Sequence, residues 1–408
     1  MSVKNALPMS RRKALAGMAS TLPLVACGGE ELVTSAPTPT PPAAPLPTPA
    51  PTSAFPIVPG SLQEAAQQSG RRFGSAVRWS SGTEAGSVQN PQYTDVIKAE
   101  CGIVVPENEM KWQFTRPAVD VYDFERMDTI AQWAADNGQD LRGHTLLWHR
   151  PQWFPDWLNN YDYGPNPVQE AERILTDHIR VVTDRYRDQI TSYDVVNEAI
   201  DHDTNGTLET SMSRAMGSPE AVLDLAFHTA RDQLPNGELV YNDYMSWEPD
   251  HANHRSAVLR LLEGFRNRNV PVDTLGIQSH IEIYSIDPTT GVGPYQEAEW
   301  RSFLQEAVDM GYKLMITEFD VKDKALSSDI FERDQKVADF SRRYFDVMLE
   351  FAELTDILAW GMVDKFNWLQ GFAPRDDGLE VRGTPYSSEY QAKPIREAIA
   401  GAFVDAAS

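Results

Sequence analysis

Eight short runs of apolar and β-branched residues recur along the chain, at 73–77, 102–105, 140–144, 192–196, 238–241, 274–278, 313–317 and 357–362. Between them lie longer segments whose apolar residues fall three to four apart, at 128–137, 168–186, 219–233, 251–268, 297–310 and 330–354. The first pattern suits buried strands and the second suits helices that cover them. A repeated β/α alternation builds either an open parallel sheet or a closed barrel. No Gly-x-Gly-x-x-Gly turn follows the first run, where an open dinucleotide-binding sheet would carry one. The expected fold class is therefore α/β, a single (β/α)8 TIM barrel over residues 60–408, a length within the range of such barrels.

The residues ahead of the barrel have another composition. Basic Lys4, Arg11, Arg12 and Lys13 precede a mildly apolar run at 14–26 that ends Leu24-Val25-Ala26-Cys27. The arrangement resembles a bacterial lipoprotein signal peptide over residues 1–26, cut before Cys27, which then carries the lipid. Ser10-Arg11-Arg12 resembles a twin-arginine export signal, although Ala14 stands where such signals carry a bulkier apolar residue, so Sec export stays open. The run is far short of the roughly 20 apolar residues that span a bilayer. Residues 27–59 read as a spacer, because ten of the 28 prolines fall between 34 and 59 among Thr and Ala, and such a segment is extended and semi-rigid. The expected location is the cell envelope, on its periplasmic or outer-membrane face, with the membrane touched only through the lipid.

Charge narrows the partners. The chain carries a formal −23, and because residues 1–59 hold four basic and two acidic side chains, the barrel itself carries −25. Such a body repels phosphate backbones and anionic headgroups, which disfavours a nucleic-acid or polybasic membrane function. A neutral or cationic partner fits better, and a monomer is expected. Cys27 and Cys101 supply neither a disulfide framework nor a zinc site. Cys101, at the start of a strand, reads as a buried small hydrophobe.

In a (β/α)8 barrel the residues that follow each strand share the face that carries the chemistry. Those positions hold Glu107, Asn108 and Lys111 after the second run, His144, Trp148 and His149 after the third, and Asn197 and Glu198 after the fourth. Asn242 and Tyr244 follow the fifth, Gln278 and His280 the sixth, Glu318 and Asp320 the seventh, and Trp360, Asp364 and Trp368 the eighth. This is the composition of a sugar-binding cleft, since hydroxyls need fixed donors and acceptors while a pyranose face packs on aromatic rings. Trp148 or His149 taken singly is more often a satisfied core side chain; recurrence at successive strand ends carries the reading. Glu198 and Glu318 each interrupt an otherwise apolar stretch. Glycosidic hydrolysis needs one carboxyl group to protonate the leaving oxygen and another to attack, or to activate water, at the anomeric carbon. The fourth and seventh strands face each other across a barrel, so the two glutamates can flank one sugar.

Six motifs then occur in one order: PENEMKW (106–112), RGHTLLWH (142–149), DVVNEA (194–199), YNDY (241–244), GIQSHI (276–281) and ITEFD (316–320). With Trp360-Gly361 and Lys365-Phe366-Asn367-Trp368, they make the chain resemble a family 10 glycoside hydrolase, an endo-β-1,4-xylanase, over about residues 71–400. The resemblance implies Glu198 as acid/base and Glu318 as nucleophile, with retention of configuration, which places the carboxyls about 5–5.5 Å apart. It implies Lys111, His144, Asn197, Gln278, His280 and Trp360 around the sugar being cleaved. Glu107, Asn108, Trp148 and Trp368 come near it or the next sugar toward the non-reducing end, Tyr244 joins the binding set, and His149 and Asp320 are supporting residues. No cofactor and no metal is needed.

Two segments depart from that family. Its fourth loop often carries Arg-x-Ser-x-Trp, where this chain has Leu208-Glu209-Thr210-Ser211-Met212-Ser213, which puts the leaving-group contacts in doubt. Residues 379–391 are longer and more polar than usual, a segment able to narrow or extend the non-reducing end. Asp201-His202-Asp203-Thr204-Asn205-Gly206 begins like a calcium loop, but Met212 stands at the twelfth position where a bidentate glutamate belongs. His251 and His254 lack a carboxylate at metal-triad spacing and read as solvated. Two other functions share these residues: a β-1,4-glucan-active glycosidase on the same barrel, and a non-catalytic surface glycan-binding lipoprotein, against which the two retained glutamates argue.

Overall fold

The computed structural model describes Phe55 and residues 58–408, so residues 1–26 with their expected export signal, Cys27 and nearly all of the Pro-rich segment lie outside the described residues. Nine strand segments pair in parallel: β1 (Arg72–Val77), β2 (Ile103–Pro106), β3 (Asp140–Trp148), β4 (Ile190–Asn197), β5 (Glu238–Asp243), β6 (Thr274–Ile277), β7 (His280–Glu282), β8 (Lys313–Lys322) and β9 (Leu354–Ala359). Sequence neighbours pair from β1 to β6, while β1 also pairs with β9, β9 with β8 and β8 with β6, so the sheet closes on itself. β6 and β7 are two pieces of one stave, both paired to β8 and parted at Gln278 and Ser279, where Ser279 takes a left-handed φ of 62°. The result is the expected closed parallel barrel of eight staves.

Helices at Pro91–Glu100, Glu125–Asp136, Pro167–Arg185, Pro219–Gln233, Ala252–Asn267, Glu297–Asp309, Ile330–Met348 and Pro394–Ala406 surround it. The first and last of these are not among the predicted helical segments. Pro91–Glu100 is marked by its start, where Asn90 Oδ1 accepts from the N–H groups of Gln92 and Tyr93 and proline opens the first turn. Among the described residues no helix is long and apolar enough to cross a membrane. Phe55 packs against the hydrophobic core, and Val58 donates to Glu397 Oε2 at 2.8 Å, so attachment to the barrel starts ahead of Gly60.

The main hydrophobic core lies between the strands and the helices. The floor of the barrel is polar instead. Arg142 of β3 donates to Ser192 Oγ and Asp194 Oδ1 on β4, and Glu238 of β5 accepts from Ser192 and from Thr274 on β6. These charges are tolerated inside because each has partners. β3 and β8 run past the apolar runs at 140–144 and 313–317, which carries His144, Trp148, Glu318 and Asp320 within the strands and not after them. Polar residues extend a strand here because their side chains face a cleft at the C-terminal mouth, where polar partners await them.

Candidate active site

That mouth holds a cleft of about 560 Å³. Its walls include both glutamates, Glu198 and Glu318, and every side chain expected to bind sugar: Glu107, Asn108, Lys111, His144, Trp148, Asn197, Tyr244, Gln278, His280, Trp360 and Trp368. His149 and Asp320 stand behind this lining, fully buried. His149 Nε2 meets the carbonyl of Leu208 at 3.0 Å and so ties β3 to the fourth loop.

Three amides join the two carboxyl groups. Gln278 Nε2 donates to Glu198 Oε1 at 2.9 Å and to Asn197 Oδ1 at 3.3 Å. Asn242 Nδ2 donates to the same Asn197 oxygen at 2.9 Å and to Glu318 Oε1 at 2.8 Å. Asn242 is free to reach both because Gly276 on the neighbouring stave has no side chain; a Cβ there would lie 2.6 Å from Asn242 Oδ1. Glu198 itself has a left-handed backbone, φ 51°, with its N–H on the Asn242 carbonyl. Such a conformation is costly for a non-glycine residue and persists where the surroundings enforce it; here it ends β4 and turns the side chain across the mouth.

The environments of the two glutamates differ. Burial raises the Glu198 carboxyl above the ordinary range, opposed by Arg150 and by the Gln278 hydrogen bond, with Asp243 and Glu318 adding smaller upward pushes. Repulsion from Glu318 is thus a minor cause and desolvation the main one. Glu318 instead has His280 beside it, Nε2 to Oε2 at 3.4 Å, while His280 Nδ1 lies 2.7 Å from Asp320 Oδ1. Burial alone would lower this imidazole, but Asp320 and Glu318 outweigh it and raise it to about 9, so it is cationic at neutral pH. Asp320 Oδ2 also accepts from Trp368 Nε1 at 2.8 Å and from Asn367 Nδ2 at 3.1 Å. One buried carboxylate therefore orients an imidazolium, an indole and an amide together.

On the facing wall, Lys111 donates to Asn108 Oδ1 at 3.0 Å and lies 4.5 Å above the Trp148 ring. Its burial lowers the ammonium, against the pull of Glu318, Glu107 and Glu198. His144 Nδ1 meets Asp194 Oδ2 at 2.9 Å, and its ring stands edge-on to Trp360 at 5.3 Å. Trp148 stacks on Trp153 and Trp368 on Phe372, each outer ring being exposed, which extends the aromatic walls beyond the predicted residues.

Several expectations change. No residue of 379–391 reaches the cleft wall; the segment is held away by buried ion pairs. The altered fourth loop folds into the helix Ser211–Met216, capped by Thr210 and Ser213 and anchored by the buried Met212, and His202, ahead of it, lines the cleft. In the calcium-like stretch, Asp201 Oδ1 accepts the N–H groups of Asp203 and Thr204, and among the described residues no group of three or more His, Cys, Asp or Glu could hold a metal. His254 is not solvated: it is 2% exposed, meets Asp243 Oδ1 at 3.0 Å and stacks on Tyr244. His251 lines the cleft, its Nδ1 accepting from Ser246 N–H. Sequence reasoning also missed Glu109, whose carboxylate accepts from Trp79 and Asn108 N–H and shapes the second loop, and Arg150, whose Nε lies 2.9 Å from Glu198 Oε2. Glu109 stands inside the PENEMKW motif, a signal that was available.

Carboxyl groups held this way, on the fourth and seventh staves of a parallel barrel and between aromatic walls, define the class: a barrel glycoside hydrolase. Comparison makes the assignment particular, for the profile of glycosyl hydrolase family 10 matches residues 61–402, and the chain belongs to that family. It is 31% identical over 340 residues to endo-1,4-beta-xylanase A of Fusarium oxysporum f. sp. lycopersici, covering 82% of this chain and 95% of that one. Endo-1,4-beta-xylanase B of Thermotoga neapolitana is 30% identical over 285 residues, 69% of this chain and 75% of its own. Among solved structures, native xylanase 10B from Thermotoga maritima matches with a TM-score of 0.72 at 27% identity, covering 85% of this chain and 98% of that chain. Xylanase 10B from Thermotoga petrophila RKU-1 in complex with xylobiose matches with a TM-score of 0.72 at 26% identity, covering 86% and 99%.

Proposed function

We propose that this protein cleaves internal β-1,4-xylosidic bonds of xylan or xylo-oligosaccharides by double displacement, with retention of configuration. The observation that carries the reading is the asymmetry of two carboxyl groups joined by one amide bridge. Glu198, raised by burial, is suited to hold a proton for the leaving oxygen. Glu318, between the Asn242 amide and the His280 imidazolium, is suited to attack C1. In the first step the proton of Glu198 passes to the glycosidic oxygen as that bond breaks and Glu318 bonds to C1. In the second, Glu198 takes a proton from water, whose oxygen displaces Glu318. The relatives named as xylanases and the xylobiose complex of a structural neighbour support xylose units as the substrate. The basic, apolar start ending at Cys27 supports export and lipid anchoring in the cell envelope.

Leaving groups separate the two roles. Glu318→Ala is expected to abolish turnover of every xyloside. Glu198→Ala is expected to lose about 10²–10⁴-fold on xylan, yet to release a burst of phenolate from an activated aryl xylobioside, stall as a glycosyl-enzyme and recover with azide. A burst from the Glu318 variant instead reverses the roles, and near-normal xylan hydrolysis by both variants ends the proposal. Faster release from aryl cellobioside than from aryl xylobioside transfers the mechanism to glucan.

A further inference from the structure

Arg150 follows directly on the RGHTLLWH motif, and the reaction as proposed gives it no part. Its guanidinium is nevertheless gripped on several sides. Nη2 donates to Tyr244 Oη at 3.0 Å and to the Ile200 carbonyl at 3.2 Å, the Tyr244 ring lies 5.2 Å from the guanidinium carbon, and Nε sits 2.9 Å from Glu198 Oε2. That last approach is an ion pair outside hydrogen-bond geometry. The side chains are 18% and 14% exposed, so solvent screens the pair only in part.

We propose that Arg150 is a positioning residue for the acid/base group: it fixes Glu198 Oε2 while Gln278 fixes Oε1, and it supplies the counter-charge for the carboxylate left after the proton has gone to the leaving group. The inference rests on the assignment of Glu198 as acid/base.

The reaction makes opposite demands on Glu198. It must be protonated when the glycosidic bond breaks and ionised when water attacks. Burial and the negative groups that face it, Asp243 at the end of β5 and Glu318 on β8, all favour the protonated form. Tyr244 faces it from just beyond β5, and Lys111 feels its charge from the loop after β2. Against these, Arg150 is the foremost influence toward the ionised form. Once Glu318 is esterified its charge is gone, and the attraction of Arg150 meets less opposition at the step that needs a base. The grip of Tyr244 and Ile200 keeps the guanidinium from swinging into the space of the leaving sugar.

The test compares the wild type with Arg150→Met and Arg150→Lys. Removing the cation is expected to move the basic limb of the kcat/KM profile for an unactivated xyloside, whose leaving group needs the proton, upward by about one pH unit or more, the size of a close opposite charge. With an activated aryl leaving group, where the second step limits, kcat of Arg150→Met is expected to fall most at acid pH, because the base is then held protonated. Arg150→Lys is expected to keep the limb near the wild-type position. A rate loss equal at all pH values, with the limb unmoved, or a limb moved equally by both substitutions, overturns the proposal. Carbon-13 titration of the Glu198 carboxyl reads the same shift without substrate, so a wrong sugar assignment and a wrong role for Arg150 remain distinguishable. Should Arg150→Met fold poorly, Arg150→Gln, which keeps a donor without the charge, takes its place.

Discussion

Thr317 lies outside the cleft lining, yet its hydroxyl holds the Asn242 amide one way round. Its Oγ1 donates to Asn242 Oδ1 at 2.6 Å, which leaves the Asn242 NH₂ group for Asn197 and Glu318. Thr317→Val keeps the shape and removes the donor, so the buried amide oxygen loses its partner at a cost of about 1–3 kcal/mol. A flipped Asn242 would also aim its oxygen at Glu318. The expected result is a roughly fivefold or greater loss of kcat/KM, since about 1.4 kcal/mol is tenfold, with the fold retained by circular dichroism. Unchanged kinetics would mean that the bridge contributes nothing. The two cleft indoles differ by the same reasoning. Trp360 stands against His144 in the interior of the cleft, so Trp360→Ala is expected to lower kcat. Trp368→Ala is expected mainly to raise KM, but its N–H on Asp320 couples it to His280; Trp368→Phe, which keeps a ring without that donor, separates stacking from the coupling by comparing kcat with KM.

At the scale of elements, the segment after the barrel's last strand shows why a polar stretch can be structural. Arg375, Arg382 and Lys393 are nearly buried and meet Asp323, Asp334 and Asp364, which are buried as well. Val321 N–H of β8 donates to the Gly383 carbonyl at 3.2 Å, and a Cβ at Gly383 would lie 1.9 Å from the Val321 carbonyl oxygen. Gly383→Ala therefore pushes this strap off β8, and overpacking of that kind costs about 1–3 kcal/mol, read as a lower urea midpoint with an unchanged slope. A midpoint equal to the wild type would show that the strap yields freely. The same strap marks the limit of what the sequence conveys. Strand ends were legible because Glu198, Glu318 and Gln278 break apolar runs, and thirteen of the 21 residues that line the cleft could be named from those breaks and the family motifs. Arg150, the strap and the buried His254 were not legible, since each is defined by a partner brought near only when the barrel closes, and a charged residue alone reads as solvated. Helix Pro394–Ala406 escaped because it is buried around most of its surface and has no clear polar face.

Across the whole molecule, the cleft and the anchor that ties the chain's first described residues to its last helix divide the work. The mouth carries the carboxyl groups, while the first described residues of the chain are tied to the first turn of its last helix, outside the cleft lining. There Arg396 donates to the carbonyls of Val58 and Gly60 and to Glu100, and Glu100 accepts Leu62 N–H and the Tyr386 hydroxyl. If Cys27 carries the lipid proposed for it, Cys27→Ser is expected to move the protein to the soluble fraction of its host with xylan hydrolysis unchanged; a wild type wholly soluble there refutes the lipid anchor. Arg396 is the stricter test of the division. Arg396→Ala strips the buried Glu100 of its cation and frees two carbonyls, which for a buried pair costs about 3–5 kcal/mol. In a domain of this size that corresponds to a melting point lower by on the order of 10 °C. Because no substrate-facing group is touched, kcat and KM at 25 °C should stay at wild-type values until the melting transition begins. A melting point unchanged within error would mean that the chain ends are held by apolar packing alone. A loss of kcat well below the transition would mean that this anchor and the cleft are mechanically linked, and the separation of stability from chemistry would have to be abandoned.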